Sequence, residues 1–340
     1  MSRRHQDRSE FEASIGPRQH GRVTRGAALA LFVLAAVLGG CGSSGAGTTA
    51  SPSAAATPKS SIAVPRIPAI TVLADGVQGG IGLWHFDANT GWTPIAPLPN
   101  ATAIGRFGGQ VALVRAGSIE LRGPSDFTKP GATTHPAWKS GAPLAPIVSL
   151  DRSATGTVAV ACQDSASQTY GIIGSDGTAT RLNPQPVSAF APRAAWVDTN
   201  RLLVMNTDAA LVSRLSVFDV EGGTLSDLTA IGGIRDFAVA GDRQTVAAAT
   251  EGNVYVGTAA EWLDGAAPPS IITLGKKQVV WDLAMDSDGT HLAMLSGTVA
   301  ADGSVSGIRE LVYLKQLGSW TADSSTVVPF GKAVGQVWLT

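Results

Sequence analysis

From about residue 65 onward, short apolar runs alternate with clusters of Gly, Asp and Asn. Val111–Arg115 (VALVR), Thr157–Ala161 (TVAVA), Leu202–Met205 (LLVM) and Leu215–Asp219 (LSVFD) are four such runs. Runs this short, rich in Val and Leu and bounded by turn formers, predict strands and therefore an all-β fold.

An approximate repeat runs through these strands. Each unit opens on an apolar residue, two variable positions and a second apolar residue: Ile104/Phe107, Ile147/Leu150, Val187/Phe190, Ile234/Phe237, Val280/Leu283 and Val334/Val337. The openings recur every 40 to 54 residues, and the longest interval contains an insert around Ala300–Ser306. Four-stranded propeller blades recur at about 40–50 residues. A turn and a second apolar strand follow each opening, as in Asp286-Ser287-Asp288-Gly289-Thr290 and then His291–Leu295. Third strands are read at Gly82–Asp87, Leu215–Asp219 and Ile308–Leu314, and outer strands at Trp92–Ile95 and Thr224–Leu228.

The Asp286–Thr290 turn resembles that of TolB-like and WD40-like propeller repeats. The chain ends support the same reading. Val334–Thr340 reads as an opening strand with nothing after it, and Ala69–Ala74 as a second strand with nothing before it. Together they complete one blade and close the ring without a free inner edge. The expectation is a six-bladed β-propeller of four-stranded blades over residues 65–340, closed by N- and C-terminal strands in one blade. Five or seven blades, or a flat two-sheet sandwich, remain compatible with the strand pattern alone.

The first 40 residues read differently. Arg22 and Arg25 precede the apolar run Gly26–Leu38, whose 13 residues are too few to span a bilayer. They suit the core of a signal peptide. Leu38-Gly39-Gly40-Cys41 resembles the bacterial lipobox. That resemblance implies diacylglyceryl transfer to the Cys41 thiol, cleavage before Cys41, and a palmitate-type anchor at the outer face of the cell membrane. Two or more acyl chains on one residue give stable anchoring. The region before Arg22 is long and contains Asp7, Glu10 and Glu12, so a start at Val23 is an alternative to Met1. Residues 41–64 supply the lipidated Cys and a Gly/Ser/Thr/Ala/Pro linker too poor in apolar groups to fold. The propeller of LpqB-type actinobacterial lipoproteins is similar in kind and sits on the same type of anchor. That family has a further domain before its propeller, which is not read here.

Composition narrows the function. Hydrophobic residues make up 44% and charged residues 15%, with 40 glycines for turns. The net charge is −1, and removing residues 1–40 leaves 19 basic and 23 acidic residues, a net of −4. A nucleic-acid partner needs a basic face, so none is expected. With Cys41 lipidated, Cys162 has no disulfide partner and reads as a small buried hydrophobe. After Cys41 the histidines are His85, His135 and His291, none at metal-ligand spacing with another His or Cys. Neither a nucleophile elbow nor a phosphate-binding loop is present. No cofactor and no metal site are expected.

One polar constellation stands out. Asp236 and Asp282 occupy the same repeat position, just before Phe237 and Leu283, and Arg106, Ser149, Ala189 and Gln336 are their counterparts. Inner strands surround the propeller axis, so Arg106, Asp236, Asp282 and Gln336 are candidate ligand-binding residues of the channel. The competing reading has these groups bonding backbone amides and each other to fix blade packing. Most of the eight Trp, including Trp92, Trp262, Trp281, Trp320 and Trp338, read as filler between blades. Trp138, in the long Lys129–Pro146 connection, reads as exposed and as a partner-contacting loop residue. The expected function is a tethered, non-catalytic binding or scaffold module for an envelope protein or glycan. The alternative is an extracellular hydrolase or lyase acting on a glycan or lactone in the channel, and a third reading is an accessory to a membrane complex.

Overall fold

A computed structural model describes residues 69–339 apart from 88–89, 124–128, 145, 164–167, 183–191, 208–211, 229–230, 267, 276 and 302–304. Cys41, the signal segment and the linker lie outside the described residues.

The described strands form six sheets arranged as the blades of a propeller. Blade one is built, from the axis outward, of Ala333–Leu339, Ala69–Val77, Gly80–Asp87 and Gly91–Pro97. Blade two is Ala101–Phe107, Gln110–Arg115, Ser118–Arg122 and Thr133–Thr134. Blade three is Ile147–Arg152, Val158–Gln163, Gln168–Ile173 and Thr178–Arg181. Blade four is Ala194–Trp196, Arg201–Thr207, Ser213–Asp219 and Thr224–Asp227. Blade five is Asp236–Val239, Thr245–Ala249, Asn253–Thr258 and Ser270–Thr273. Blade six is Gln278–Met285, His291–Val299, Val305–Gln316 and Ser319–Val327. Within each of these four-stranded sets, neighbouring strands pair antiparallel.

The expected closure is present. Ala69 pairs with Leu339, Ile70 with Trp338 and Val72 with Gln336, so the last strand lies inside the first. The core is divided among the seams between blades, each holding one apolar cluster. Ile70, Val72, Trp84 and Trp338 of blade one meet Ala293, Leu295 and Val312 of blade six. On its other face, blade one sets Leu73, Leu83 and Val337 against Ile104, Val111 and Leu113 of blade two. Because both faces of each sheet are covered, second strands lose the apolar/polar alternation of a one-sided sheet. Thr245–Ala249 (TVAAA) is buried throughout, and its alanines let neighbouring sheets approach closely near the axis. Outer strands meet water, and Thr224–Asp227 is exposed along its whole length.

Cys162 is fully buried in the seam between blades two and three, and burial pushes its thiol up to about 12. The single described helix, Ala259–Leu263, opens on a capping box in which Thr258 and Glu261 satisfy each other's backbone N–H groups. It seats Trp262 in the seam between blades four and five, where the indole N–H donates to the Val246 carbonyl at 3.2 Å.

Two expectations need correction. The blade-four opening Val187/Phe190 lies outside the described residues, as does Ala189. The inner strand of that blade is Ala194–Trp196. Ala194–Trp196 supplies three buried apolar positions that pair with Leu202–Val204. Trp138 is not an exposed loop residue. Ala137–Trp138 pairs in parallel with Thr178–Arg181 and adds a fifth strand to blade three. Its indole is half-buried against Gly171, where a Cβ would come within 2.8 Å, and lies beneath the Arg181 guanidinium at 5.4 Å.

Candidate functional site

The inner strands carry polar groups at the axis, and most of these cross to a neighbouring blade. The Thr102 hydroxyl of blade two donates to the Ile147 carbonyl of blade three at 2.8 Å. Asp151 of blade three accepts the Trp196 amide of blade four at 2.8 Å. Arg193, just before the blade-four strand, donates to Asp236 of blade five and to the Leu283 carbonyl of blade six at 3.1 Å. Asp236 also accepts the Leu283 amide at 2.6 Å. Asp282 of blade six accepts the Gln336 amide of blade one at 3.2 Å, and the Gln336 side chain donates to the Asp282 carbonyl at 3.0 Å.

The four sequence-derived residues therefore separate. Asp236, Asp282 and Gln336 are buried in the seams, and the last two bond each other. Arg106 is half-buried and bonds none of the other three; its Nη1 donates to the Met285 carbonyl at 3.3 Å. An axial cavity of about 70 Å³ runs between the inner strands. Arg106, Ser149, Asp151, Arg193, Arg243 and Gln336 line it, whereas Asp236 and Asp282 do not.

Electrostatics follow from this burial. Desolvation pushes the Asp282 carboxyl up to about 8, against the pull of Arg193 and with the repulsion of Asp236. Burial raises Asp236 as well, opposed by Arg193 and the Leu283 amide. Burial also works against the charge on Arg193, but Asp236 and Asp282 outweigh it and its pKa is raised. Glu310, in the row of Asp282 and Leu295, is 1% exposed, and among the described residues neither carboxyl oxygen has a hydrogen-bond partner. Burial and the nearby Asp282 raise it well above the usual carboxylate range.

A pH dependence follows. Asp282 keeps its proton in the folded state up to about pH 8, whereas in the unfolded chain it loses it near about 4. The folded protein then binds more protons across that window, and stability falls as pH rises through it. Asp282→Asn retains an oxygen for the Gln336 amide and removes the titration. Thermal unfolding between about pH 5 and 8 should show a falling Tm in the parent and a flatter profile in the variant. A parent Tm that rises steadily over this range would contradict the assignment.

At one end of the axis lies a recess of about 590 Å³ that shares Arg106 and Arg243 with the cavity lining. Arg243 of the blade-five turn crosses its floor. Its guanidinium bonds both oxygens of Asp151, at 2.6 and 3.1 Å, and the Trp196 and Arg152 carbonyls at 3.1 and 2.6 Å. Arg243 holds a φ of 66, and these four bonds to blades three and four fix that backbone. Arg193, Asp151 and Arg243 were missed in the sequence. Arg193 had a signal: it directly precedes an apolar run (Ala194–Val197) closed by the turn residues Asp198-Thr199-Asn200, the pattern of the other openings.

Beside the recess, Asp286, Asp288 and His291 place ligand atoms within 4.8 Å of one another. These groups are already engaged. His291 Nδ1 bonds Asp286 at 2.6 Å, and Thr290 bonds both carboxylates. Burial pushes against the charge on Asp286, but the bonds from His291 hold its carboxyl low, and Asp286 in turn raises His291. The cluster secures the turn after the blade-six inner strand, as the sequence suggests.

By sequence the chain matches no protein-family model and no curated protein. By structure it is similar to the TolB of Acinetobacter baumannii, with a TM-score of 0.56 and 12% identity over 80% of this chain. It spans 66% of the length of that protein, just under two thirds. A TolB candidate from Agrobacterium tumefaciens aligns with a TM-score of 0.53 and 11% identity over 79% of this chain and 93% of its own. The fold is thus a TolB-like propeller.

Proposed function

We propose that the chain is an extracytoplasmic lipoprotein, held at the cell membrane by lipid on Cys41, whose propeller is a non-catalytic binding or scaffold module for an envelope protein or glycan. The tether rests on the sequence: the apolar run Gly26–Leu38, the small residues Gly39 and Gly40, Cys41 and the linker behind it. The binding role rests on one observation. The axial acids Asp236 and Asp282 are turned into the blade seams and bonded to backbone amides of the next blade. Glycoside hydrolysis needs two carboxylates facing the scissile bond. Neither carboxylate lines the axial cavity, so the geometry favours binding over glycoside hydrolysis there.

The tether is tested by fractionating cells that express the full chain or Cys41→Ser. The parent should sediment with membranes and yield an acylated N-terminal peptide by mass spectrometry, while the variant should shift to the soluble extracytoplasmic fraction. Equal membrane retention of both would remove the tether from the proposal.

A further inference from the structure

The recess at the end of the axis holds two cationic side chains that form no ion pair among the described residues, although Asp151, Asp242 and Asp286 act on Arg106 from beyond bonding distance. Among the described residues Arg106 has no carboxylate partner, and its one hydrogen bond is the 3.3 Å contact with the Met285 carbonyl. A guanidinium carries five N–H donors, so most of its capacity is unspent. Room for it is made deliberately: a Cβ on Gly241 would lie 2.5 Å from Arg106 Nη2. Arg152, which also lines the recess, lies over the Phe107 ring at 5.8 Å and likewise has no carboxylate partner among the described residues. Nearby acids are engaged elsewhere. Asp151 is taken by Arg243 and the Trp196 amide, and Asp286 by His291 and Thr290. Asp242 accepts the Gln244 amide at 2.8 Å and, with Ser287, lines the recess with groups suited to hydroxyls.

We infer that this recess binds an anionic sugar: Arg106 and Arg152 take its carboxylate or phosphate oxygens, and Asp242 and Ser287 take its hydroxyls. A fork of N–H donors suits either oxyanion. Burial and the neighbouring Arg243 charge lower the pKa of Arg106, as expected of a cation whose counter-ion arrives with a ligand. The inference rests on the reading of the propeller as a binding module and is independent of the tether, which the Cys41→Ser fractionation tests separately.

The test is calorimetric titration of the purified full chain in detergent with D-glucuronate, glucose 1-phosphate, inorganic phosphate and uncharged glucose. D-glucuronate, glucose 1-phosphate or both should bind saturably and more weakly at high salt, with glucose inert. Tighter glucuronate identifies a uronic acid as the source of the anion, and tighter glucose 1-phosphate a sugar phosphate. Arg106→Gln and Arg152→Gln should each weaken binding at least about tenfold, while Arg309→Gln on blade six should not. Arg152 is exposed, so its variant stays folded. Gly241→Ala, which crowds the Arg106 guanidinium, should weaken binding in the same sense. Inorganic phosphate binding alone, with neither sugar anion bound, would mark an adventitious ion only and overturn the inference. So would no saturable binding, or binding unchanged by Arg106→Gln and Arg152→Gln.

Discussion

A chain truncated after Lys332 is expected to lose its cooperative fold. The removed strand Ala333–Leu339 is the innermost of blade one and pairs along Ala69–Ala74. It contributes Trp338, 1% exposed, to the seam with blade six and Val337 to the seam with blade two. Its loss also strips the partner from Asp282, whose carboxyl oxygen accepts the Gln336 amide. Removing one buried Trp side chain costs about 3–5 kcal/mol, and a typical domain has only about 5–15 kcal/mol in total. The truncation adds a second buried side chain, a set of ladder bonds and an open inner edge. Circular dichroism should show no cooperative melt, with aggregation through the edge left on Ala69–Val77. Trp338→Ala provides the graded control: it should fold, with a Tm lowered by several degrees. A truncated chain melting within about 5 °C of the parent would show that the ring does not depend on this closure.

Arg193→Met is expected to destabilise the propeller by about 3–5 kcal/mol, because it leaves a buried acid without its cation. The side chains of Arg193 and Asp236 are 24% and 5% exposed, so water screens the pair poorly. Arg193 also holds the Leu283 carbonyl, tying blades four, five and six together. Once Arg193 is replaced, Asp236 must take up a proton or carry its charge unpaired beside the Leu283 amide. The double variant Arg193→Met/Asp236→Asn should recover much of the loss, since both charges go together while an oxygen remains for that amide. Urea unfolding of the two single variants and the double variant forms a cycle that isolates the pair. A loss below about 1 kcal/mol for Arg193→Met would place the pair with weak surface bridges.

The difference between what was legible and what was not lies in the range of the interactions. The blades, their turns and the shared first blade were legible because strand formation depends on neighbours a few residues apart: the apolar pairs from Ile104/Phe107 to Val334/Val337, and a turn such as Asp286–Thr290 that closes on its own side chains. The burial of Cys162 followed from the same local pattern, since an apolar run covered on both sides has no exposed face. Blade four escaped because its opening is only three residues long and follows a proline-containing stretch, which hid the register and with it Arg193. The direction of the axial groups was decided by tertiary structure alone. Asp236 and Asp282 share a repeat position, yet what each faces is set by a partner 43 to 54 residues away: Arg193 and Leu283 for one, Gln336 for the other. Arg243 reaches Asp151 across 92 residues, and no periodicity encodes that contact. The sequence determined that a ring of blades forms. Packing the ring determined which polar side chains are consumed in the seams, and which arginines in the recess have no carboxylate partner among the described residues.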